Sequence, residues 1–322
     1  MGISAQGKDF DLASPFGISR GAKSTAKIFE VSVTEGEITG LGEGVPYSRY
    51  GDSVELALAQ LATLPPDFDP HNLEQHLPAG SARNALDLAV LDGTAKFEKR
   101  PIWEILDLPE PKPLAFGATV SLKSTSEMIA DAKSKSKESI LKIKLGGDED
   151  MNAMKGIRDA APDSKLLIDV NEGWDFRELF EYLPTLIDLG VELIEQPLKS
   201  EFDQQLEDID SPIPICADES LSPETDLESL IGRFDVINFK LDKSGGLTTM
   251  VKQVGLAREL GFGVMVGCMV SSSLAIAPAF YAAQLADFVD LDGFVHLAND
   301  RQESMQVVDG FINADKTSWG KP

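Results

Sequence analysis

The feature that leaves the fewest folds open is a repeat in the larger, C-terminal part of the chain. After the Pro-rich stretch Leu108-Pro-Glu-Pro-Lys-Pro113, apolar strand-like runs begin near residues 116, 140, 165, 191, 213, 235, 262 and 287. Amphipathic stretches with helical periodicity, such as 124–138, 150–161, 175–189 and 247–260, lie between them. Strand and helix alternating eight times, at a spacing of about 25 residues, is the pattern of a (β/α)8 TIM-type barrel. A doubly wound sheet is the alternative, but eight even repeats favour closure.

In such a barrel chemistry sits at the C-terminal ends of the strands. Here the runs end in Thr119 or Ser121, Lys142 and Lys144, Asp169 and Asn171, Glu195, Asp218, Lys240 or Lys243, Gly267-Cys268, and Asp290 with Asp292. Lys142 and Lys144 flank Ile143, so strand alternation puts both on one face, which here is the barrel interior. Interior lysines need anionic company. Asp169, Glu195 and Asp218, one per strand, supply it, and carboxylates so placed suit an oxygen-seeking divalent cation. Lysines beside such a cation suit proton transfer next to a stabilised anion.

Upstream of the prolines, residues 26–45 alternate like a hairpin around Thr34-Glu-Gly-Glu, and helical periodicity follows at 52–63 and 82–98. This reads as a compact α+β unit over residues 1–110, with the barrel over 114–296. A net charge of −24 argues against nucleic acid or an anionic membrane surface as partner, since both need a basic face. Val264 to Val289, the most apolar region, is interrupted by Gly, Pro278, Gln284 and Asp287, so no membrane span is expected. Residues 1–9 hold no apolar stretch that could act as a secretory signal. Cys216 and Cys268 are too few for a disulfide framework, and a cytoplasmic location is the expectation.

Read together, these residues resemble the enolase superfamily and, within it, the muconate-lactonising subgroup. The matching pieces are Ala82-Arg-Asn-Ala-Leu-Asp87, Leu141-Lys-Ile-Lys144, Asp169-Val-Asn171, Glu195-Gln-Pro197, Ala217-Asp-Glu-Ser220 and Lys240-Leu-Asp-Lys-Ser-Gly-Gly246. The resemblance implies an α+β capping domain, completed by C-terminal residues about 297–322, over a modified barrel. It implies Mg2+ held by Asp169, Glu195 and Asp218, and Lys144 and Lys243 as acid/base groups on opposite faces of the substrate. Lys142 would contact the substrate carboxylate. Removing a proton α to a carboxylate creates a dianion, which a divalent cation and nearby ammonium groups offset.

Two lysines facing each other across one carbon can epimerise it. The only histidines are His71, His76 and His296, the first two before the barrel and the last after its final strand, so a His-based mechanism is not expected. Asp290-Leu-Asp292 resembles the Asp-x-Asp of dipeptide epimerases, which holds the substrate's α-ammonium; a desolvated amine needs such acceptors. The implied substrate is therefore a dipeptide, epimerised at its C-terminal residue. Arg20, or in competition Arg49, is a candidate partner for a glutamate side chain, which would fit L-Ala-D/L-Glu. Thr119, Cys268 and Val270 would line the pocket by position, with Asn171 orienting the metal site. N-acylamino acid racemase and o-succinylbenzoate synthase, of the same superfamily, are the alternatives. A Schiff-base aldolase using Lys240 or Lys243 is a rival that leaves the carboxylates without a role. A catalytically silent barrel is another. A homo-oligomer is compatible with all of these.

Overall fold

The computed structural model describes residues 2–19 and 21–322; Arg20, the first candidate for side-chain recognition, lies outside them. The chain opens with an antiparallel meander of β1 (Gly2–Ile18), β2 (Gly21–Glu35) and β3 (Ile38–Gly44). The hairpin read over 26–45 is the β2–β3 pair. The sequence reading assigns no strand to β1, because most of its side chains are exposed and it carries no apolar alternation.

Helices α1 (Val54–Ala62) and α2 (Ser81–Glu98) pack on the meander, and the short α3 (Ile102–Ile105) follows. The α2–β3 contact is unusually close. A Cβ added at Gly42 would overlap the Ala85 carbonyl and come within 2.8 Å of the Ala89 nitrogen, and one at Gly40 within 2.9 Å of Gly93 Cα. Glycines on the strand and Ala85, Ala89 and Gly93 on the helix thus let two backbones touch.

After β4 (Leu114–Ala115) come the barrel strands β5 (Gly117–Val120), β6 (Ile140–Lys144), β7 (Lys165–Asp169), β8 (Val191–Glu195), β9 (Ile215–Ala217), β10 (Val236–Phe239), β11 (Gly263–Gly267) and β12 (Phe288–Asp290). They are parallel and lie in sequence order in one eight-stranded sheet. A Cβ built on Gly117 would sit 3.6 Å from the Val289 carbonyl oxygen, so the first and last strands face each other and the barrel is nearly closed. Helices α4 (Thr125–Ser134), α5 (Asp150–Ala160) and α6 (Phe176–Asp188) follow β5 to β7. Capping boxes Ser124/Glu127 and Asp175/Glu178 start α4 and α6. The links after β8 and β9 hold only 3-10 turns, at Ser200–Asp208 and Leu227–Leu230. The short α7 (Leu241–Ser244) and α8 (Leu247–Glu259) follow β10, and α9 (Ser273–Ala282) follows β11. Among the described residues no helix is long and apolar enough to cross a membrane.

Alternation sorts the strand side chains into layers. Leu141, Ile143, Leu166, Ile168 and Ile194 point outward into the core under the helices. Leu167, Leu193, Cys216, Val236 and Met265 point inward and fill the barrel floor. Two residues further along the same strands come Asp169, Glu195, Asp218, Asn238 and Gly267, so the polar layer rests directly on an apolar one.

The tail closes the molecule. β13 (Gln306–Val308) and β14 (Phe311–Asn313) form a hairpin whose second strand pairs with β4. Trp319 donates its indole N–H to the Leu41 carbonyl (2.9 Å), and the Gly320 N–H reaches Asp92 (2.9 Å). Replacing Gly42 by Ala forces helix and strand apart and should destabilise the protein by about 3 kcal/mol, read as a lower urea midpoint at unchanged m-value.

Candidate active site

Cap and barrel meet over the strand ends, and α2 makes the junction specific. Arg83 donates to the carbonyls of Gly245 (3.1 Å) and Ser244 (2.9 Å), and Asn84 donates to Asp242 (2.8 Å). Asp87 accepts the Thr248 N–H (3.1 Å). Arg83, Asn84 and Asp87 of the Ala82–Asp87 segment therefore clasp the turn that carries Lys243. From the cap loop, the Val45 N–H also reaches Asp242 (2.9 Å). Burial pushes the Asp242 carboxyl up to about 7 against these two donors.

Inside the barrel mouth, ammonium and carboxylate groups alternate. Lys142 is 2% exposed; its Nζ donates to Asp290 and lies 2.7 Å from Glu195 and 3.1 Å from Asp169. Lys144 Nζ lies 2.5 Å from Asp169. Across the site, Asp218 receives Lys240 at 2.7 Å and Lys243 at 2.9 Å. The Lys243 ammonium also donates to the carbonyls of Asp218 (2.7 Å) and Asn238 (2.9 Å).

Oxygens of Asp169, Glu195 and Asp218 fall within 4.8 Å of one another, and all three residues are buried. The surrounding lysines offset part of this negative charge, and the three carboxylates remain close enough to share one cation. An all-oxygen donor set of this size fits a hard divalent ion such as Mg2+. Asn238 steadies it by donating to Glu195 (2.7 Å), in space left free because position 267 is glycine: a Cβ there would meet Asn238 Oδ1 at 2.6 Å. Gln196, at a left-handed φ of 37°, accepts the N–H groups of Asp218 (3.0 Å) and Ser220 (3.1 Å) through its side-chain oxygen. Asn171 and Glu172 are also left-handed, at 47° and 67°. Such conformations persist where the surroundings over-determine them.

The charges shift one another. Burial raises the Glu195 carboxyl to about 7, helped by neighbouring Asp169. Burial opposes ionisation of Asp169 too, but Lys144 and Lys142 outweigh it and hold it at about 2. Lys243 is pulled below the ordinary lysine value, first by burial and then by Lys240 against Asp218. Lys142 and Lys240 go the other way, because their carboxylate partners overcome desolvation.

A cavity of about 280 Å³ lies over this cluster. Of the residues expected to meet substrate, Thr119, Lys142, Lys144, Cys268, Val270, Asp290 and Asp292 line it. Asp169 and Glu195 lie beneath. Lys243 opens into a second cavity of about 450 Å³, and Tyr47 and Met269 border both. Burial raises the Cys268 thiol, so it stays protonated. Arg49 is already engaged: it pairs with Glu172 and donates to Ser200 (3.0 Å), tying the cap loop to the barrel. Tyr47 belongs to the cap loop at residues 45–50, which the family resemblance already ties to side-chain choice; sequence reasoning misses Lys23, Phe16 and Met269, all cavity-lining and all in loops or cap segments without a periodic signal. It also misses Asn238, which the two-residue step from Asn238 on β10 to Lys240 just beyond it could have exposed.

If these carboxylates hold Mg2+, loading must release the proton that Glu195 retains below about pH 7. Calorimetric titration at pH 6.5 in two buffers of different ionisation enthalpy should show that release, and affinity should fall as pH drops below 7. Glu195→Gln should abolish both the proton release and the thermal stabilisation by Mg2+.

Comparison with known proteins is in keeping with this geometry. Residues 127–318 match the Enolase C-terminal domain-like family, and residues 5–107 match the Mandelate racemase / muconate lactonizing enzyme, N-terminal domain. The chain is 37% identical to an L-Ala-D/L-Glu epimerase of Escherichia coli (strain K12), over 94% of this chain and 96% of that one. It is 41% identical to an N-acetyl-D-glutamate racemase of Pseudoalteromonas sp, over 90% and 94%. An enolase family member from Agrobacterium tumefaciens with homology to dipeptide epimerases, solved with bound sodium and L-Ala-L-Glu, superposes with TM-score 0.93 at 38% identity, covering 96% of each chain. A dipeptide epimerase from Cytophaga hutchinsonii, solved with Mg and D-Ala-L-Val, superposes with TM-score 0.91 at 26% identity, covering 99% and 94%.

Proposed function

The chain belongs to the mandelate racemase / muconate lactonizing enzyme family of the enolase superfamily, and on that premise we propose that it is a Mg2+-dependent dipeptide epimerase acting at the C-terminal residue, with L-Ala-D/L-Glu as substrate. The observation that carries the dipeptide assignment is Asp290. Its Oδ2 accepts from Lys142, while its Oδ1 is buried with no hydrogen-bond partner. A buried carboxylate oxygen without a donor is costly, and beside a cavity it calls for a ligand that brings one. With Asp292 next to it, the donor that fits is an α-ammonium.

In this reading Asp169, Glu195 and Asp218 hold Mg2+, which supplies positive charge where the substrate carboxylate becomes dianionic. Lys243, whose pKa burial lowers, serves as base for one epimer in its deprotonated form. It takes the Cα proton, and the electron pair left on carbon delocalises into the carboxylate. Lys144, as ammonium, returns a proton to the opposite face; the reverse reaction exchanges the roles. Lys142 and Lys240 keep the surrounding charge balanced through their fixed pairs. Arg49 is spent on Glu172, so we assign the glutamate side chain to Lys23 of β2, which lines the cavity, with Arg20 the other candidate. We assign the enzyme to the cytoplasm, with no nucleic acid or membrane partner.

A specific likeness favours a second reading: N-acetylglutamate, as acted on by the Pseudoalteromonas relative, differs from L-Ala-Glu chiefly in lacking that ammonium. Proton NMR in D2O with Mg2+ separates the two. Loss of the C-terminal α-proton signal from L-Ala-L-Glu with appearance of the other epimer is the expected result, and exchange confined to N-acetylglutamate would transfer the assignment. Replacing Asp290 and Asp292 together by Asn should lower dipeptide turnover by at least about 100-fold.

The lysine roles carry their own signature. Lys144→Ala and Lys243→Ala should each slow epimerisation by roughly 100- to 10,000-fold. Each variant should still exchange the α-proton of one epimer, and the two should retain opposite ones.

A further inference from the structure

His296 takes no part in the reaction above, yet it sits against the group assigned to the substrate amine. It lies in the 3-10 turn Gly293–His296 after β12. Its Nε2 is 3.0 Å from Asp292 Oδ2, and its side chain is only 19% exposed. The ring is held from the other side by Phe16 of β1, edge-on at a centroid distance of 4.7 Å, so cap and barrel grip it together. The charged groups facing it are Asp292, Asp290 and, from the end of α4, Lys135. Lys135 is committed elsewhere, to the Thr119 carbonyl (2.8 Å) and to Asp131 (2.8 Å). Lys142 pairs with Asp290 and also bears on Asp292.

Asp292 thus has an internal cation available to it as well as an external one. We propose that His296 is a positioning residue that sets the amine subsite's preference: protonated, it occupies Asp292 in place of a substrate ammonium, and neutral, it yields that carboxylate to the ammonium. The proposal rests on the reading of Asp290 and Asp292 as the amine subsite. Burial disfavours the charged ring, but Asp292 outweighs it and raises His296 above the ordinary imidazole value. Burial likewise disfavours the Asp292 carboxylate, but His296 and Thr119 hold it low. The two groups therefore stabilise each other's charge in the free enzyme, and an arriving ammonium competes with the ring proton. Dipeptide binding expels that proton to solvent; an N-acyl amino acid, which brings no cation, leaves it in place.

His71, His76 and His296 are the only histidines, so the test can be read directly. Uniformly 13C-histidine-labelled enzyme with Mg2+ is titrated by NMR, and His296→Gln, which keeps a donor but does not titrate, assigns the signal. The His296 midpoint should fall when the enzyme is saturated with the equilibrated L-Ala-D/L-Glu pair and stay put with N-acetyl-L-glutamate. In parallel, the ratio of kcat/KM for L-Ala-L-Glu over N-acetyl-L-glutamate should rise about tenfold from pH 5.5 to 7.5 in the wild type and be flat in His296→Gln. A midpoint unmoved by the dipeptide, or the same pH slope in both enzymes, overturns the inference alone, provided the double Asn variant has lost dipeptide turnover. If that double variant retains it, the amine-subsite reading falls and this inference with it.

Discussion

Ammonium groups buried in a barrel are tolerable only opposite carboxylates, and the converse holds equally. Lys142 at 2% exposure and Asp169 at 0% would each be prohibitively costly alone. Together with Lys144, Lys240, Lys243, Glu195, Asp218 and Asp290 they form a lattice in which every charge has a neighbour of opposite sign. The rest of the structure serves that lattice. The apolar floor of Leu167, Leu193, Cys216, Val236 and Met265 excludes water from below. Gly267 leaves room for Asn238, and the clasp from α2 fixes the turn bearing Lys243. A cluster so organised is electrostatically prepared before substrate arrives, which is where catalysis of carbon acidity draws its strength.

Legibility followed periodicity. The barrel strands announced themselves because their outward residues must be apolar, and the inward residues stood out because lysine and aspartate interrupt that pattern every second position. Lys142, Lys144, Asp169, Glu195 and Asp218 were visible for that reason. β1 was not, since its mostly exposed side chains are free to be polar. Arg49 read as a candidate substrate ligand, but its engagement with Glu172 depends on where a left-handed turn after β7 delivers a carboxylate from a sequence distance of 123 residues. Phe16, Lys23 and Tyr47 belong to cap segments whose place over the barrel is set by tertiary docking alone. His296 lies beyond the last strand and is not expected as a catalytic base, and its contact with Asp292 is an i,i+4 relation inside a turn that no periodicity flags.

The same division of labour separates reaction from selectivity. Lys144 and the three clustered carboxylates sit at or just beyond strand ends, and Lys243 sits on α7 directly after β10, all held on or directly beside regular backbone. The cap contributes walls through Phe16 at the end of β1, Lys23 at the start of β2 and Tyr47 in the loop after β3, outside the charge lattice. The proposed amine subsite departs from this pattern, since Asp290, Asp292 and His296 all come from the barrel's last strand and the turn beyond it.

The path of the tail bears on how the molecule comes apart. β14 joins β4 just ahead of the barrel, the Ile102 N–H donates to the Gly320 carbonyl at 2.8 Å, and Trp319 and Gly320 bind Leu41 and Asp92 of the cap. The last residues therefore stitch the first sheet to the body that precedes them, and neither half keeps its contacts if the other melts. Cap and barrel, distinct in architecture, are therefore expected to unfold as one cooperative unit.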